Sequence, residues 1–222
     1  MFRLLIAGLL ALLLPAAAQA QMEQQTLVDR ATLSVQELFS DAVNPQARGM
    51  MKNAKAVVVC PQVFKAGFIL GGQGGTCVLS VNGAGVWSSP AFYSLISGSI
   101  GFQIGVQDSQ IVFIVLTDRG LTALMESNFK VGADASVAVA TIGAGVSGAT
   151  TAAMRADIIA FSQTRGLFAG IALDGSVLSP RDEWNQLYYG QSMPPKDIVL
   201  QNRGNNPGAD PLRETLAQYS AR

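Results

Sequence analysis

AKAVVVCPQVFKAGFILGGQGG, residues 54–75, is where the character of the chain changes. Upstream the apolar residues recur at helical spacing. From Ala56 onward they fall in short β-branched and aromatic runs bounded by glycine, the signature of strands. The runs 56–60, 67–70, 76–81, 100–106 and 111–117 are predicted as strands. Gly71, Gly72, Gly74 and Gly75 read either as a tight glycine hairpin or as a nest of backbone N–H groups able to hold an anion. The Lys-Ser/Thr ending of a P-loop is missing.

Working outward, Val28, Ala31, Val35, Leu38 and Ala42 form one apolar stripe, so 22–42 is predicted as an amphipathic helix that packs on the sheet. Asn44-Pro45 ends it. Downstream, Ile100, Phe102, Ile104 and Val106 alternate with small or polar residues, as in a half-buried strand. Residues 111–116 are apolar on both faces and predict a central strand. A short helix near 121–127 follows, then strands at 135–141, 158–162 and 167–173. A last ordered helix has Ser179 as N-cap, Pro180 at its first position, Asp182 and Glu183 in its first turn and Gly190 at C′. Beyond it the chain reads as linker, with a final short helix after Asp210-Pro211. The expectation is an α+β fold: one β-rich domain of mainly antiparallel strands between an N-terminal amphipathic helix and a C-terminal helix.

At the N-terminus, Arg3 precedes an uninterrupted apolar run from Leu4 to Leu14, and Ala18-Gln19-Ala20 offers a cleavage site. The run falls far short of the ~20 residues that a spanning helix needs. A signal peptide over 1–20 is expected, with a mature chain beginning at Gln21, exported to the periplasm or envelope. No cysteine follows the site to be lipidated, so a lipoprotein is not expected. The two cysteines, Cys60 and Cys77, enter an oxidising compartment on this reading. They form either a disulfide or two buried thiols on neighbouring strands.

With 15 basic and 15 acidic residues the chain is formally neutral, but the charge is uneven. Residues 42–107 contain Arg48, Lys52, Lys55 and Lys65 and no acid. Residues 21–41 set Arg30 against Glu23, Asp29, Glu37 and Asp41. The neutral balance gives no reason to expect a nucleic-acid partner. There is no histidine, which removes the usual general base and the commonest metal ligand and excludes a Ser-His-Asp triad. Residues 143–148 match a G-x-G-x-x-G pattern, but Asp157 comes too early and precedes its strand, so a dinucleotide site is not expected. Scattered carboxylates leave a hydrolase unsupported. No catalytic residue, cofactor or metal is assigned.

Five blocks carry a resemblance. These are the opening stretch 54–75, GVWSSPAFYSLISGSIGFQIGVQ (85–107), KVGADASVAVA (130–140), SQTRGLFAGIALDGSVL (162–178) and NQLYYG (185–190). In this order they resemble the SYLF domain family. By position, Lys55 and Lys65 match the lysines flanking the family's first strand. Gly67, Gly71, Gly72 and Gly75 match its glycine turn, Trp87, Ser88 and Pro90 its Trp-Ser-x-Pro block, and Asn185, Tyr189 and Gly190 its closing block. Ala56 and Thr141-Ile142 depart from the pattern, and Cys60 and Cys77 are not hallmarks of it.

The resemblance implies lipid binding, with phosphoinositide and membrane association described for eukaryotic members, some of which also bind actin. Bacterial members are typically exported. The expected layout is a signal peptide at 1–20, a SYLF lipid-binding domain at 21–190 and a Pro/Gly-containing tail at 191–222. The expected role is a non-catalytic module at the cell envelope whose partner is an anionic lipid or membrane surface. Arg48, Lys52, Lys55 and Lys65 would be drawn to headgroups, and Gly71, Gly72 and Gly75 would approach the same phosphate. Trp87 belongs either to the core or to the membrane interface. The alternatives are a structural or stress-related envelope protein working through protein contacts and, more distantly, a hydrolase.

Overall fold

The computed structural model describes residues 14–40, 45–67, 70–100, 105–141, 155–165, 173 and 175–221. Helices α1 (Leu14–Leu38) and α2 (Pro45–Met51) lead into β1 (Ala56–Gly67) and β2 (Leu70–Gly83). There follow β3 (Val86–Trp87), β4 (Ala91–Ile100), β5 (Gly105–Val115), α3 (Asp118–Leu124), β6 (Phe129–Lys130), β7 (Val137–Thr141), β8 (Ile158–Arg165) and β9 (Val177–Pro180). Helices α4 (Asp182–Tyr189), α5 (Pro195–Val199) and α6 (Asp210–Ser220), with a 3₁₀ turn at Pro207–Ala209, complete the chain. The sheet order is β6-β9-β4-β2-β1-β5-β8-β7, with β3 paired to β2. Every pairing between these described strands is antiparallel except β7 with β8.

The opening stretch is one long hairpin at the centre of this sheet, in register from Ala56↔Val81 to Gly67↔Gly71. Its glycines therefore do not form the turn. Residues 71–75 are strand, paired with β1 on one side and β4 on the other, which corrects both the hairpin and the nest readings. Pro61 cannot donate to a ladder, and a proline inside a sheet belongs at a bulge. The register indeed shifts between Val59 and Gln62, where Cys60 and Pro61 stand opposite Cys77. The bulge explains Gly75, because a Cβ there would collide with the Gln62 carbonyl oxygen.

Alternation along β1 divides the core. Ala56, Val58, Cys60 and Val63 join Leu79, Tyr93, Leu95, Phe113 and Ile158 on one face, closed by Leu124 of α3 and by Ile198 and Val199 of α5. Val57 and Val59 join Val78, Phe92, Val112 and Phe161 on the other, beneath α1, α2, α4 and α6. Since both faces are covered, residues 111–115 are buried without alternation, as expected. On α1, Val28, Ala31, Val35 and Leu38 are buried, so the expected stripe packs on the sheet; Ala42 lies outside the described residues.

Several boundaries differ from expectation. The predicted strand 100–106 is not one element. Ile100 ends β4 against Leu70 and Gly105 begins β5 against Gly67, on opposite sides of the central hairpin, and residues 101–104 lie outside the described residues. Helix α3 begins three residues early because the Thr117 side chain caps it, accepting from Gly120 N. Ser179 and Pro180 remain in β9, so Arg181 occupies the N-cap of α4, while Gly190 takes the expected left-handed C-cap (φ 70°). Most of 167–173 and all of 143–148 lie outside the described residues.

The segment after Gly190 is not a linker with a loose tail. Ile198, Val199, Ala209, Leu212 and Leu216 are buried in the two cores. Among the described residues, no helix is long and apolar enough to cross a membrane.

Candidate functional site

The blocks that carry the resemblance lock the C-terminal helices to the sheet. Trp87 is buried, and its Nε1 donates to Ser220 Oγ (2.9 Å) on α6. Its carbonyl accepts from Arg213 Nε (2.9 Å). Ser88 Oγ accepts from Val81 N (3.0 Å), Asn185 Oδ1 from Phe92 N (2.8 Å), and Pro90 O from the Tyr189 hydroxyl. Trp87 is therefore a core residue and not an interfacial one. Burial pushes the Tyr188 and Tyr189 phenols above their ordinary pKa, so both stay protonated.

One heavily bonded carboxylate is also structural. Asp157, buried ahead of β8, accepts from Thr117 Oγ1 (2.7 Å), from Ser136 Oγ (2.7 Å) and from Ser136 N (3.1 Å). It ties α3, β7 and β8 together. The hydrogen bonds from Thr117 and then Ser136 outweigh burial and hold its pKa below the ordinary carboxylate value. Among the described residues there is no group of three or more His, Cys, Asp or Glu placed to hold a metal.

The four basic residues of the acid-free stretch are divided. Arg48 lies on α2, its guanidinium carbon 5.7 Å from the Tyr219 ring centroid. Lys52 is exposed just beyond that helix, and Lys55, three residues on, places Nζ 2.8 Å from Asp118 Oδ1. Lys65 stands ten positions further along, about 30 Å away at the rise of a strand. Its register partners there are Gln73 and Gln107. Gly71, Gly72 and Gly75 belong to that distant end. The single patch expected from sequence is thus two sites, with Arg48, Lys52 and Lys55 at one and Lys65 with the glycines at the other.

The first site has a cavity. It is open, has a volume of about 680 Å³, and is lined by Lys52, Asn53, Lys55, Asn82, Ala84 and Ser220 among others, with no acidic side chain in the lining among the described residues. Its walls are fixed by the main chain. Lys55 N donates to Val115 O (2.8 Å), and Asn82 N donates to Lys55 O (2.7 Å). Asn82 Nδ2 donates to Ala54 O (3.3 Å), and Asn82 Oδ1 accepts from Gly85 N (2.8 Å). Ala84 (φ 55°) and Gly85 (φ 92°) turn the chain between β2 and β3. Left-handed geometry at Ala84 is strained for an L residue with a Cβ, and such strain gathers at functional sites. Ser220, which accepts from Trp87, closes the rim, so the family-like block also positions the cavity.

Two clefts of about 330 and 310 Å³ lie between α1 and the bulge. Both contain Arg30, but Glu37 and Asp108 line the first and Glu23 the second, so neither is a cationic basin. Cys60 and Cys77 are joined across the bulge, Cα–Cα 4.1 Å, and are fully buried. Sequence reading missed Asn82, Ala84, Ser220 and Asp118. Only Asn82-Gly83, a turn-forming pair after an apolar run, offered a local signal.

A family model described as Ysc84, Las17-binding protein actin regulator, matches residues 96–219. SH3 domain-containing YSC84-like protein 1 of Rattus norvegicus is 32% identical over 173 residues, covering 77% of this chain and 51% of the relative. The Homo sapiens protein of that name is 30% identical over the same length. Protein YSC84 of Saccharomyces cerevisiae is 27% identical over 208 residues, 91% of this chain and 44% of the relative. The chain spans about half the length of the curated relatives it matches. A family match over more than half the chain, joined to a relative above 30% identity, places the protein in the Ysc84, or SYLF, family.

Proposed function

We propose that the protein is a non-catalytic, exported module that binds anionic lipid at the cell envelope, with the headgroup at the Lys52–Lys55 cavity. The observation that carries this reading is a wide cavity lined by two lysines and, among the described residues, by no acidic side chain. Arg48 adds a third positive charge on the helix leading to it. Near an anionic surface each basic residue contributes about 1 kcal/mol. The apolar leader with its Ala18-Gln19-Ala20 site supports export, to the periplasm or to an envelope surface facing it.

Flotation with phosphatidylcholine vesicles, with and without phosphatidylglycerol, tests the reading. Replacing Lys52 and Lys55 together by glutamine should weaken binding to the anionic vesicles by roughly thirtyfold, the equivalent of about 2 kcal/mol. Lys65→Gln should leave binding nearly unchanged, because that lysine belongs to the other end of the sheet. Equal flotation of the double variant and the native chain would refute the headgroup site.

A second reading is favoured by a different surface. Phe64 and Ile96 are 50% and 62% exposed and face each other across Gly74 on the three central strands. Related proteins include LAS seventeen-binding protein 3 of Saccharomyces cerevisiae, whose name records a protein partner. Contact with a protein through this face would survive the Lys52/Lys55 substitutions and be lost in Phe64→Ser.

A further inference from the structure

Among the described residues the cavity lining contains no acidic side chain, yet one carboxylate reaches a lysine of that lining from outside. Asp118 is the first residue of α3, and its Oδ1 lies 2.8 Å from Lys55 Nζ. The side chains are 85% and 40% exposed, so water screens the pair and it is easily separated.

The two backbones, in contrast, are fixed. Lys55 is held between Val115 and Asn82. The first turn of α3 is held by Thr117, which caps Gly120 N and donates to Asp157. Arg119 turns toward Asp157, with Nε 3.8 Å from its Oδ2, and leaves Asp118 to Lys55. The helix does not depend on Asp118 for its cap. Two exposed side chains meet between rigid anchors, and either can rotate away without moving the main chain.

We propose that Asp118 is a tethered competitor for the anion that binds at Lys55. Its carboxylate occupies the lysine when the cavity is empty and is displaced by an incoming phosphate group. The inference rests on the headgroup reading above and adds a component that weakens it. A phosphate on a lipid and a free phosphate ester present the same chemistry to Lys52 and Lys55, and both must displace the same carboxylate. Exposed ion pairs of this kind are worth ~0.2–1 kcal/mol, so the competitor lowers affinity by about 1.4- to 5-fold.

The test compares the whole native chain with Asp118→Asn, Lys55→Gln and the double variant, each with an unchanged melting curve. One arm uses phosphatidylcholine–phosphatidylglycerol vesicles over a range of salt, with phosphatidylcholine alone as background for the apolar leader. The other uses glycerol 3-phosphate as a soluble ligand. Asp118→Asn should bind more tightly by the stated factor and lose affinity more steeply with salt. That gain should vanish in the Lys55→Gln background. A gain in the vesicle arm alone identifies a lipid headgroup, and a gain in the soluble arm alone a free ester; both support displacement. If Asp118→Asn binds like the native chain while Lys55→Gln binds less, the competitor is refuted and the headgroup site stands. If neither substitution alters binding in either arm, both are refuted. A gain that persists without Lys55 also overturns the proposal.

Discussion

Asp157 shows how a single side chain can look chemical and be architectural. It is a buried carboxylate with a lowered pKa, the profile often sought in active sites. Its donors are Thr117 and Ser136, both at element boundaries, and its product is a joint between α3, β7 and β8. The pH consequence has a definite sign. A carboxyl whose folded pKa lies below its ordinary value stabilises the fold above that value, and the contribution is lost as pH falls through the lowered folded one. Asp157→Asn should therefore cost about 1–3 kcal/mol at neutral pH through mismatched buried hydrogen bonds. It should also flatten the acid limb of a stability–pH curve below the ordinary carboxylate value. Denaturant titrations from neutral pH downward check both; an unchanged acid limb would refute the assignment. Sequence offered no route to this residue, because its partners lie 21 and 40 positions away. The basic residues were visible but not their distribution. A strand carries Lys65 away from Lys55 in a straight line, whereas proximity in the chain suggested a cluster.

At the scale of elements, legibility followed burial pattern. The buried stripe of α1 and the two-sided burial of residues 111–115 were read correctly because apolar spacing reports directly on what is buried, although α1 runs Leu14–Leu38 and not 22–42, and β5 begins at Gly105. The glycine run was misread because glycine signals turns as strongly as it signals bulges and close approach. Pro61 held the correction, since a proline within an apolar run requires a bulge if that run is central. The bulge opposes Cys60 and Pro61 to Cys77, and the disulfide joins β1 to β2 there. Bridging residues 17 apart closes a loop for which chain entropy gives about 3 kcal/mol. Thiol labelling of denatured, unreduced protein should find no reactive cysteine, and reduction should lower stability by about that amount. Two labelled thiols per chain would mean that the hairpin is held by its ladder and packing alone.

For the whole molecule, the decisive difference lies beyond Gly190. Pro and Gly there suggested a linker, and a boundary at 190 separated the domain from a tail. Met193-Pro194-Pro195 instead leads into α5, and Asn206 caps the turn before α6 with its side chain on Gly208 N (2.9 Å). Proline and glycine here mark the starts and turns of short packed helices. Their apolar residues are too few per helix to show a period, so the burial was not legible from spacing. Removing residues 191–222 would strip Ile198 and Val199 from one core and Leu212 and Leu216 from the other. It would also expose Trp87 and remove the Ser220 partner of its indole. At about 1.5–3 kcal/mol for each large aliphatic side chain, the loss exceeds ~6 kcal/mol before Trp87 is considered. Domains of this kind have about 5–15 kcal/mol in total. A chain ending at Gly190 should therefore fail to fold cooperatively, whereas one ending at Ala221 should melt like the native protein. Circular dichroism melts of the two truncations decide the matter. A cooperative, native-like transition for the shorter chain would restore the boundary at 190 and make α5 and α6 accessories to the fold.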